Sequence, residues 1–119
     1  MTSVLVVDDD AAFRGLAVRV LRAGAFEIVG EAATGEAGMA AALELRPDAI
    51  LLDVRLPDAN GIQLGRMLAA LPWLPRVVLT SSDSDVPGEI AAEPDALPLA
   101  FVPKDELTGA PLGHLLSGD

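Results

Sequence analysis

Short apolar runs recur along the chain at intervals that predict the strands of one sheet. The predicted strands are Val4–Val7, Phe26–Ala32, Ala49–Leu52, Val77–Leu79 and Leu99–Val102. The first and third are continuous apolar runs, which is typical of strands that are covered on both faces, as in parallel sheets.

Helical periodicity fills the intervals between the first four strands. One face of the first helix is formed by residues at spacings of three and four, namely Phe13, Leu16, Ala17, Val20 and Leu21. Gly24 is expected to end this helix, and Thr34 is expected to cap a second helix that runs to Leu45 before Pro47. A third helix is predicted over Gly61–Leu71. Strand and helix therefore alternate, which predicts an α/β fold with a doubly wound, five-stranded parallel sheet and helices on both faces.

The last third of the chain fits this alternation less well. The segment 81–98 should hold the fourth helix, but it contains Pro87, Gly88, Pro94 and Pro98. Because an interior proline costs a helix about 3 kcal/mol, only Glu89–Glu93 is predicted to be helical, in a short or distorted fourth helix. Thr108 is predicted to cap a short fifth helix that has Pro111 in its first turn.

Composition excludes several classes of protein. The 119 residues predict one domain over residues 1–119, and an apolar content of 51% argues against a disordered chain. The absence of cysteine excludes a disulfide framework, a zinc-thiolate site and a thiol nucleophile. A net charge of −10, with eight scattered basic residues, predicts no direct binding of nucleic acid. The sequence shows neither a signal peptide nor an apolar run of about 18 residues, so a cytoplasmic protein without membrane contact is expected.

Polar side chains follow four of the five predicted strands. They are Asp8, Asp9 and Asp10 after the first strand, Asp53 after the third, Thr80 after the fourth and Lys104 after the fifth. The carboxyl ends of parallel strands line one crevice in an open α/β sheet. Two carboxylates about 5 Å apart repel by roughly 3 kcal/mol at an effective dielectric constant of 20, and a cation would relieve this repulsion. Oxygen ligands favour Mg²⁺, which leads to the hypothesis of a Mg²⁺-assisted phosphoryl site.

Each of these residues also has a plainer interpretation. Asp10 is expected to cap the first helix rather than to join the site. Asp53 taken alone could be a turn residue before Pro57, Thr80 could begin a polar loop, and Lys104 could be solvated. Their shared position at strand ends is what favours a common site.

Four motifs, in order, make the chain resemble the receiver domain of response regulators in two-component signalling. VVDDD resembles the acidic pair of that family, and ILLDVRLPDANG resembles its phosphoacceptor motif. VVLTSSD and AFVPKDEL resemble the segments that carry the family's hydroxyl and lysine. In this sequence the matching residues are Asp8, Asp9, Asp53, Pro57, Gly61, Thr80, Phe101 and Lys104.

The resemblance implies a role for each matching residue. Asp53 would attack the phosphorus atom of a histidine kinase phosphohistidine and become an aspartyl phosphate. Asp9 and Asp53 would bind Mg²⁺ directly, Asp8 would bind it through water, and the main-chain carbonyl of Arg55 would complete the protein ligands. Thr80 would hold a phosphoryl oxygen.

Lys104 is implied to hold a second phosphoryl oxygen, and the resemblance also implies a switch and a strand order. Thr80 and Phe101 would move on phosphorylation, although Phe101 is equally explained by packing in the core. Arg55 and Ser82 would border the phosphoryl group and tune its loss, unless they are simply solvated. The sheet would have the flavodoxin-like order 2-1-3-4-5.

Two rival functions differ from phosphorylation-dependent signalling. A receiver could act by protein contact alone, which the altered fourth helix favours and the intact acidic set does not. A haloacid-dehalogenase-type phosphatase would use Asp8 and Asp10, but Ala12 stands where that family has Thr or Val. We therefore predict a signalling domain that assists its own phosphorylation and dephosphorylation rather than a turnover enzyme. It most resembles regulators with a C-terminal helix-turn-helix domain, and its partners or a homodimer would use a face other than the fourth helix.

Overall fold

Five parallel strands form the central layer of the fold in the computed structural model, which describes residues 1–91 and 99–118. They are β1 (Ser3–Val7), β2 (Glu27–Ala32), β3 (Ala49–Asp53), β4 (Arg76–Ser81) and β5 (Ala100–Pro103). The order across the sheet is β2-β1-β3-β4-β5, and every neighbouring pair is parallel. The predicted sheet and its strand order are confirmed.

Three regular helices connect the first four strands, and a polar side chain caps each of them. They are α1 (Ala11–Ala23), α2 (Gly35–Leu45) and α3 (Gly61–Ala69). Asp10, Thr34 and Asn60 accept hydrogen bonds from the free backbone N–H groups of the first turns. The predicted caps Asp10 and Thr34 are confirmed, and α3 ends two residues earlier than predicted.

Alternate residues of the strands pack into two apolar layers on opposite faces of the sheet. One face of β1 places Leu5 and Val7 against α2 and α3, in a layer that also takes up Val86. The opposite face of β1 places Val4 and Val6 in a layer with α1 and with Leu107, Leu116 and their neighbours near the C-terminal end of the chain. These strand residues are fully buried, which explains why their sequence is apolar without alternation. The helices therefore lie on both faces, as predicted.

The fourth helix is short, as predicted, but it begins earlier than the prediction. Within the described residues helix α4 spans Val86–Ala91, so it begins three residues before the predicted Glu89–Glu93. Pro87 and Gly88 lie in its first turn, where the N–H group that proline lacks would have no helical partner. The amide of Glu89 donates to the carbonyl of Asp85 at 3.1 Å and closes that turn. Residues 92–98 of the predicted segment lie outside the described residues.

The predicted fifth helix is replaced by two short helices of other types. A 3₁₀ helix spans Lys104–Gly109 and a π-helix spans Gly113–Ser117. Thr108 therefore lies inside the 3₁₀ helix and does not cap a helix, so that prediction was wrong. Leu107 and Leu116 are each 1% exposed and anchor the two short helices to the sheet. No helix in the described ranges combines the length and the apolar character that a membrane span requires.

Candidate functional site

The carboxyl ends of four strands bring the predicted site residues together. Asp53 is the last residue of β3, and the parallel register places it beside Thr80 of β4. Asp8 follows β1 directly, and its amide donates to the carbonyl of Ala32 at 2.9 Å. Lys104 follows β5 as the first residue of the 3₁₀ helix. The shared edge of the sheet therefore collects four of the polar residues that the sequence singled out, namely Asp8, Asp53, Thr80 and Lys104.

Three carboxylates converge at this edge. Asp8, Asp9 and Asp53 each offer an oxygen atom, and these atoms all lie within 4.8 Å of one another. Asp8 is 1% exposed and Asp53 is 4% exposed, whereas Asp9 faces solvent. Asp10 turns away, because its carboxylate accepts from the amides of Ala12 and Phe13 in α1. The Asp8 and Asp10 pair of a phosphatase is therefore not formed.

The ammonium group of Lys104 lies between the two buried carboxylates. Its Nζ atom is 2.8 Å from Asp8 Oδ2 and 3.5 Å from Asp53 Oδ2. The same Nζ atom lies 4.6 Å from the centroid of the Phe13 ring, within range of a cation–π contact. Burial disfavours the ammonium, but the contacts with Asp8 and Asp53 outweigh this effect and raise the pKa of Lys104. Phe13 was predicted only as a core residue, and no pattern in the sequence indicated its contact with Lys104.

The buried position of Asp53 makes its proton easier to keep. Burial raises the pKa of Asp53 to about 6. The hydrogen bond that Asp53 Oδ1 accepts from the amide of Arg55 at 3.2 Å opposes this effect and lowers the pKa. Repulsion from Asp8 and Asp9 raises this pKa further, and attraction to Lys104 lowers it. At pH 7 the carboxylate form of Asp53 therefore still predominates over the acid form.

The hydroxyl of Thr80 is buried beside Asp53 without a partner. Thr80 is 1% exposed, and its Oγ1 has no hydrogen-bond partner among the residues that the structure describes. A buried hydroxyl without a partner is destabilising by about 1–3 kcal/mol. Such a group is explained if a ligand supplies the missing hydrogen bond when it binds at Asp53.

The loop after Asp53 is held by backbone contacts that only glycine permits. A Cβ atom on Gly61 would lie 2.4 Å from the Asp53 carbonyl oxygen and 2.4 Å from Val54 Cα. The amide of Gly61 donates to the Val54 carbonyl at 2.9 Å. The side chain of Asn60 then caps α3. These contacts fix the turn between Asp53 and α3, which includes Arg55.

The same loop is also fastened to α2. The carboxylate of Asp58 accepts from the amides of Gly35 at 2.7 Å and Glu36 at 3.0 Å. These hydrogen bonds lower the pKa of Asp58. No local pattern in the sequence indicates this contact, because its partners are more than twenty positions apart.

The remaining predicted residues surround the site. The guanidinium of Arg55 pairs with Asp83 and Glu89, neither of which was predicted. Phe101 is partly buried and packs against the layer that contains α2 and α3, while Ser82 is exposed on the loop after β4. The arrangement of Phe101 in this structure agrees with its interpretation as a packing residue.

The donor set at this edge suits a hard divalent cation. Its groups are carboxylate oxygens, without the imidazole or thiolate that softer metals prefer. Asp8, Asp9 and Asp53 lie close enough to share one ion, and a cation would offset the repulsion that raises the pKa of Asp53. Asp9 is exposed whereas Asp8 and Asp53 are buried, and a Mg²⁺ site typically combines one or two carboxylates with water and phosphate oxygens.

Comparison with known families agrees with this geometry. Residues 4–105 match the family described as the response regulator receiver domain. The chain belongs to this family. It is a receiver domain of the kind found in the response regulators of two-component systems.

Curated relatives of this receiver include regulators and enzymes. A protein-glutamate methylesterase/protein-glutamine glutaminase from Anaeromyxobacter dehalogenans is 47% identical over 79 residues, which cover 66% of this chain and 23% of the relative. The DNA-binding response regulator MtrA from Mycolicibacterium paratuberculosis is 37% identical over 107 residues, which cover 86% of this chain and 46% of the relative. The receiver thus spans less than half the length of either relative.

Solved structures confirm the fold of the receiver. The signal receiver domain of a response regulator designated NarL, from Mycobacterium tuberculosis, superimposes with a TM-score of 0.80 at 31% identity, covering 93% of each chain. The Vibrio cholerae chemotaxis protein CheY4 superimposes with a TM-score of 0.81 at 21% identity, covering 98% of this chain and 99% of that one.

Proposed function

We propose that this receiver accepts a phosphoryl group on Asp53 from a histidine kinase and changes conformation to control an output. The observation that carries the proposal is the convergence of Asp8, Asp9 and Lys104 on the buried Asp53 carboxylate. Lys104 supplies positive charge beside the proposed nucleophile, and the carboxylates of Asp8 and Asp9 can hold a cation there. Positive charge at this point favours the transfer of a phosphoryl group, which is itself highly negative.

The transfer itself requires little from the protein beyond position and charge. An Asp53 oxygen attacks the phosphorus atom of the phosphohistidine, the P–N bond breaks, and its electron pair returns to the imidazole. Lys104 stays beside the carboxylates and neutralises negative charge that builds on the transferred group. The unpaired Thr80 hydroxyl donates to a phosphoryl oxygen and so gains the partner that it lacks.

Asp9 and Asp53 would hold Mg²⁺ directly, Asp8 through water, and the main-chain carbonyl of Arg55 would supply a further ligand. The bound ion would supply positive charge to the phosphoryl oxygens. Asp8 and Asp53 are both buried. Because a carboxyl group must lose its proton to bind a metal, this site would bind the ion more tightly once Asp53 is ionised.

Membership of the family supports a proposal about the wider biological context. The proposed domain is the whole of residues 1–119, acting in the cytoplasm as a stoichiometric signalling component rather than as a turnover enzyme. Because regulators such as MtrA are named as DNA-binding proteins, we propose an output in transcription, which other parts of a regulator would carry out. A homodimer or another partner would use a face outside the six-residue α4.

Intact mass spectrometry tests the acceptor directly. The native protein, Asp53→Asn and Asp105→Asn would each be incubated with Mg²⁺ and acetyl phosphate. We expect one phosphoryl adduct on the native protein and on Asp105→Asn, which changes an exposed aspartate next to Lys104. We expect none on Asp53→Asn, and none on the native protein when EDTA replaces Mg²⁺.

Two results would contradict the proposal. An adduct that persists on Asp53→Asn would place the acceptor elsewhere. No adduct on a native protein with an intact circular dichroism spectrum would favour the alternative receiver, which acts by protein contact without phosphorylation.

A further inference from the structure

The side chain of Arg55 ties the loop after Asp53 to the segment after Thr80. One terminal nitrogen of its guanidinium lies 2.6 Å from Asp83 Oδ2 and 2.8 Å from Glu89 Oε2. The Nε atom donates to the same Asp83 oxygen at 3.2 Å. Asp83 lies in the loop after β4, and Glu89 lies in α4. A residue two positions from the proposed acceptor is therefore joined to the fourth helix by charge.

The two acidic partners of Arg55 also take part in hydrogen bonds that shape the start of α4. The amide of Asp83 donates to Ser81 Oγ at 3.0 Å, and Asp83 Oδ1 accepts from the amide of Asp85 at 2.9 Å. The carbonyl of Asp85 in turn accepts from the amide of Glu89. The six described residues of α4 form fewer than two helical turns, which have little stability of their own. Its first turn therefore depends on contacts of this kind and on the burial of Val86.

The backbone of Arg55 lies against the proposed acceptor. Its amide is 3.2 Å from Asp53 Oδ1, so the flexible side chain starts within a few bonds of any group that is attached to that carboxylate. A phosphoryl group carries about 1.5 to 2 negative charges, whereas each present partner carries one. Guanidinium also matches the oxygens of a phosphoryl group in a two-pronged geometry.

The present ion pairs are weak enough to be exchanged. The side chains are 43% exposed for Arg55, 35% for Asp83 and 42% for Glu89. Ion pairs with this exposure are screened by water and contribute little. A more highly charged competitor beside Asp53 therefore has an advantage over both carboxylates.

We propose that Arg55 changes partners when Asp53 is phosphorylated, leaving Asp83 and Glu89 for phosphoryl oxygens and releasing the first turn of α4. This inference rests on the proposed function of Asp53. The route runs along the surface of the molecule, and it is separate from the buried pair Thr80 and Phe101. Asp83 and Glu89 are positioning residues in this scheme, because they hold the guanidinium until the phosphoryl group arrives.

Amide hydrogen exchange of residues 84–90 tests the exchange of partners. The native protein, the double variant Asp83→Asn/Glu89→Gln and the control Arg19→Gln would be compared with and without acetyl phosphate and Mg²⁺. Arg19 is an exposed arginine in α1. We expect phosphorylation to speed exchange in the native protein and in Arg19→Gln by roughly three- to tenfold, as the loss of two weak ion pairs implies.

The double variant is expected to exchange at this faster rate before phosphorylation and to change little afterwards. Unchanged exchange of the strand amides would show that it folds normally. Slow exchange in the unphosphorylated double variant would overturn the inference, as would a native adduct with unaltered exchange in residues 84–90. In both cases the measured adduct would leave the acceptor role of Asp53 intact. A native protein without an adduct would instead overturn the proposed function, and this inference with it.

Discussion

The two halves of this sheet are framed by very different helices. In the half that contains β1, β2 and β3, helices of 13, 11 and 9 residues each begin with a polar side-chain cap. In the half that contains β4 and β5, the described helices have five or six residues, and the 3₁₀ and π-helices have no side-chain cap. Both halves nevertheless contribute to the site, the first through Asp8, Asp9 and Asp53 and the second through Thr80 and Lys104.

The comparison shows that strand ends, and not regular helices, place the chemistry. Thr80 lies near the end of β4 and Lys104 follows β5, and buried residues of these two strands, including Val78, Leu79 and Val102, hold both groups at the edge of the sheet. The first half holds the proposed acceptor in a fixed position, and the second half holds the groups that would respond to it. The weaker framing of the second half makes such a response less costly.

The largest expected effect is a loss of stability from a substitution in the half that contains β1, β2 and β3. Gly61→Ala would place a methyl group 2.4 Å from backbone atoms of Asp53 and Val54. Because backbone cannot move aside cheaply, we expect the free energy of unfolding to fall by about 3 kcal/mol or more, measured by urea denaturation. Gly15→Ala is the matched control, since its methyl group meets nothing within 4 Å in the middle of α1. That variant should gain about 1 kcal/mol. Equal stabilities for the two variants would refute the argument from close contact.

Removing the charge of Asp53 should show how much the buried carboxylate lowers the stability of the fold before any ligand binds. The pKa of Asp53 is about 6 in the folded protein and near 3.8 without its surroundings. The folded state therefore binds more protons between these values, so the contribution of Asp53 to stability falls as the pH rises through them. In EDTA at pH 7, Asp53→Asn should be more stable than the native protein by up to about 3 kcal/mol.

This advantage of Asp53→Asn has two further signatures. It should shrink as the pH falls from about 6 toward 3.8, because the native carboxylate regains its proton. It should also shrink when Mg²⁺ is added at pH 7. Thermal or urea denaturation across the pH range measures both, and equal stability of the two proteins at pH 7 would contradict the burial argument.

The smallest expected difference in stability is between substitutions of one threonine from each half. Thr34 accepts a hydrogen bond from the amide of Ala37 at 3.1 Å and caps α2. Thr34→Ala should therefore cost about 1 kcal/mol. Thr108 is exposed and lies within the 3₁₀ helix, so Thr108→Ala should change stability by less than about 0.5 kcal/mol. Equal losses would mean that the second half relies on a side-chain cap after all.

The sequence predicted the features that depend on neighbouring residues. Apolar runs located every strand, and the residues at their ends predicted the edge at which Asp8, Asp53 and Lys104 meet. Asp10 and Thr34 were predicted as caps because a cap acts within three residues of itself. The strand order came from the family resemblance and not from the periodicity.

The features that were missed depend on residues far apart in the chain or on the balance between helix types. Arg55 lies 28 and 34 positions from Asp83 and Glu89, and no local pattern indicates that pairing. The early start of α4 depends on Pro87, which is harmful inside a helix and harmless in its first turn. The turn that begins directly at Lys104 placed Thr108 inside a helix rather than before one.

The position of Lys104 also has a consequence for chemical labelling. It is the only lysine in the sequence, and its amine lies against Asp8 and Asp53 with 16% of its side chain exposed. An amine-selective acylating reagent therefore has one side-chain target, and that target borders the candidate site. The rate at which this single residue is acylated would report the occupancy of the site without a tag or a substituted residue.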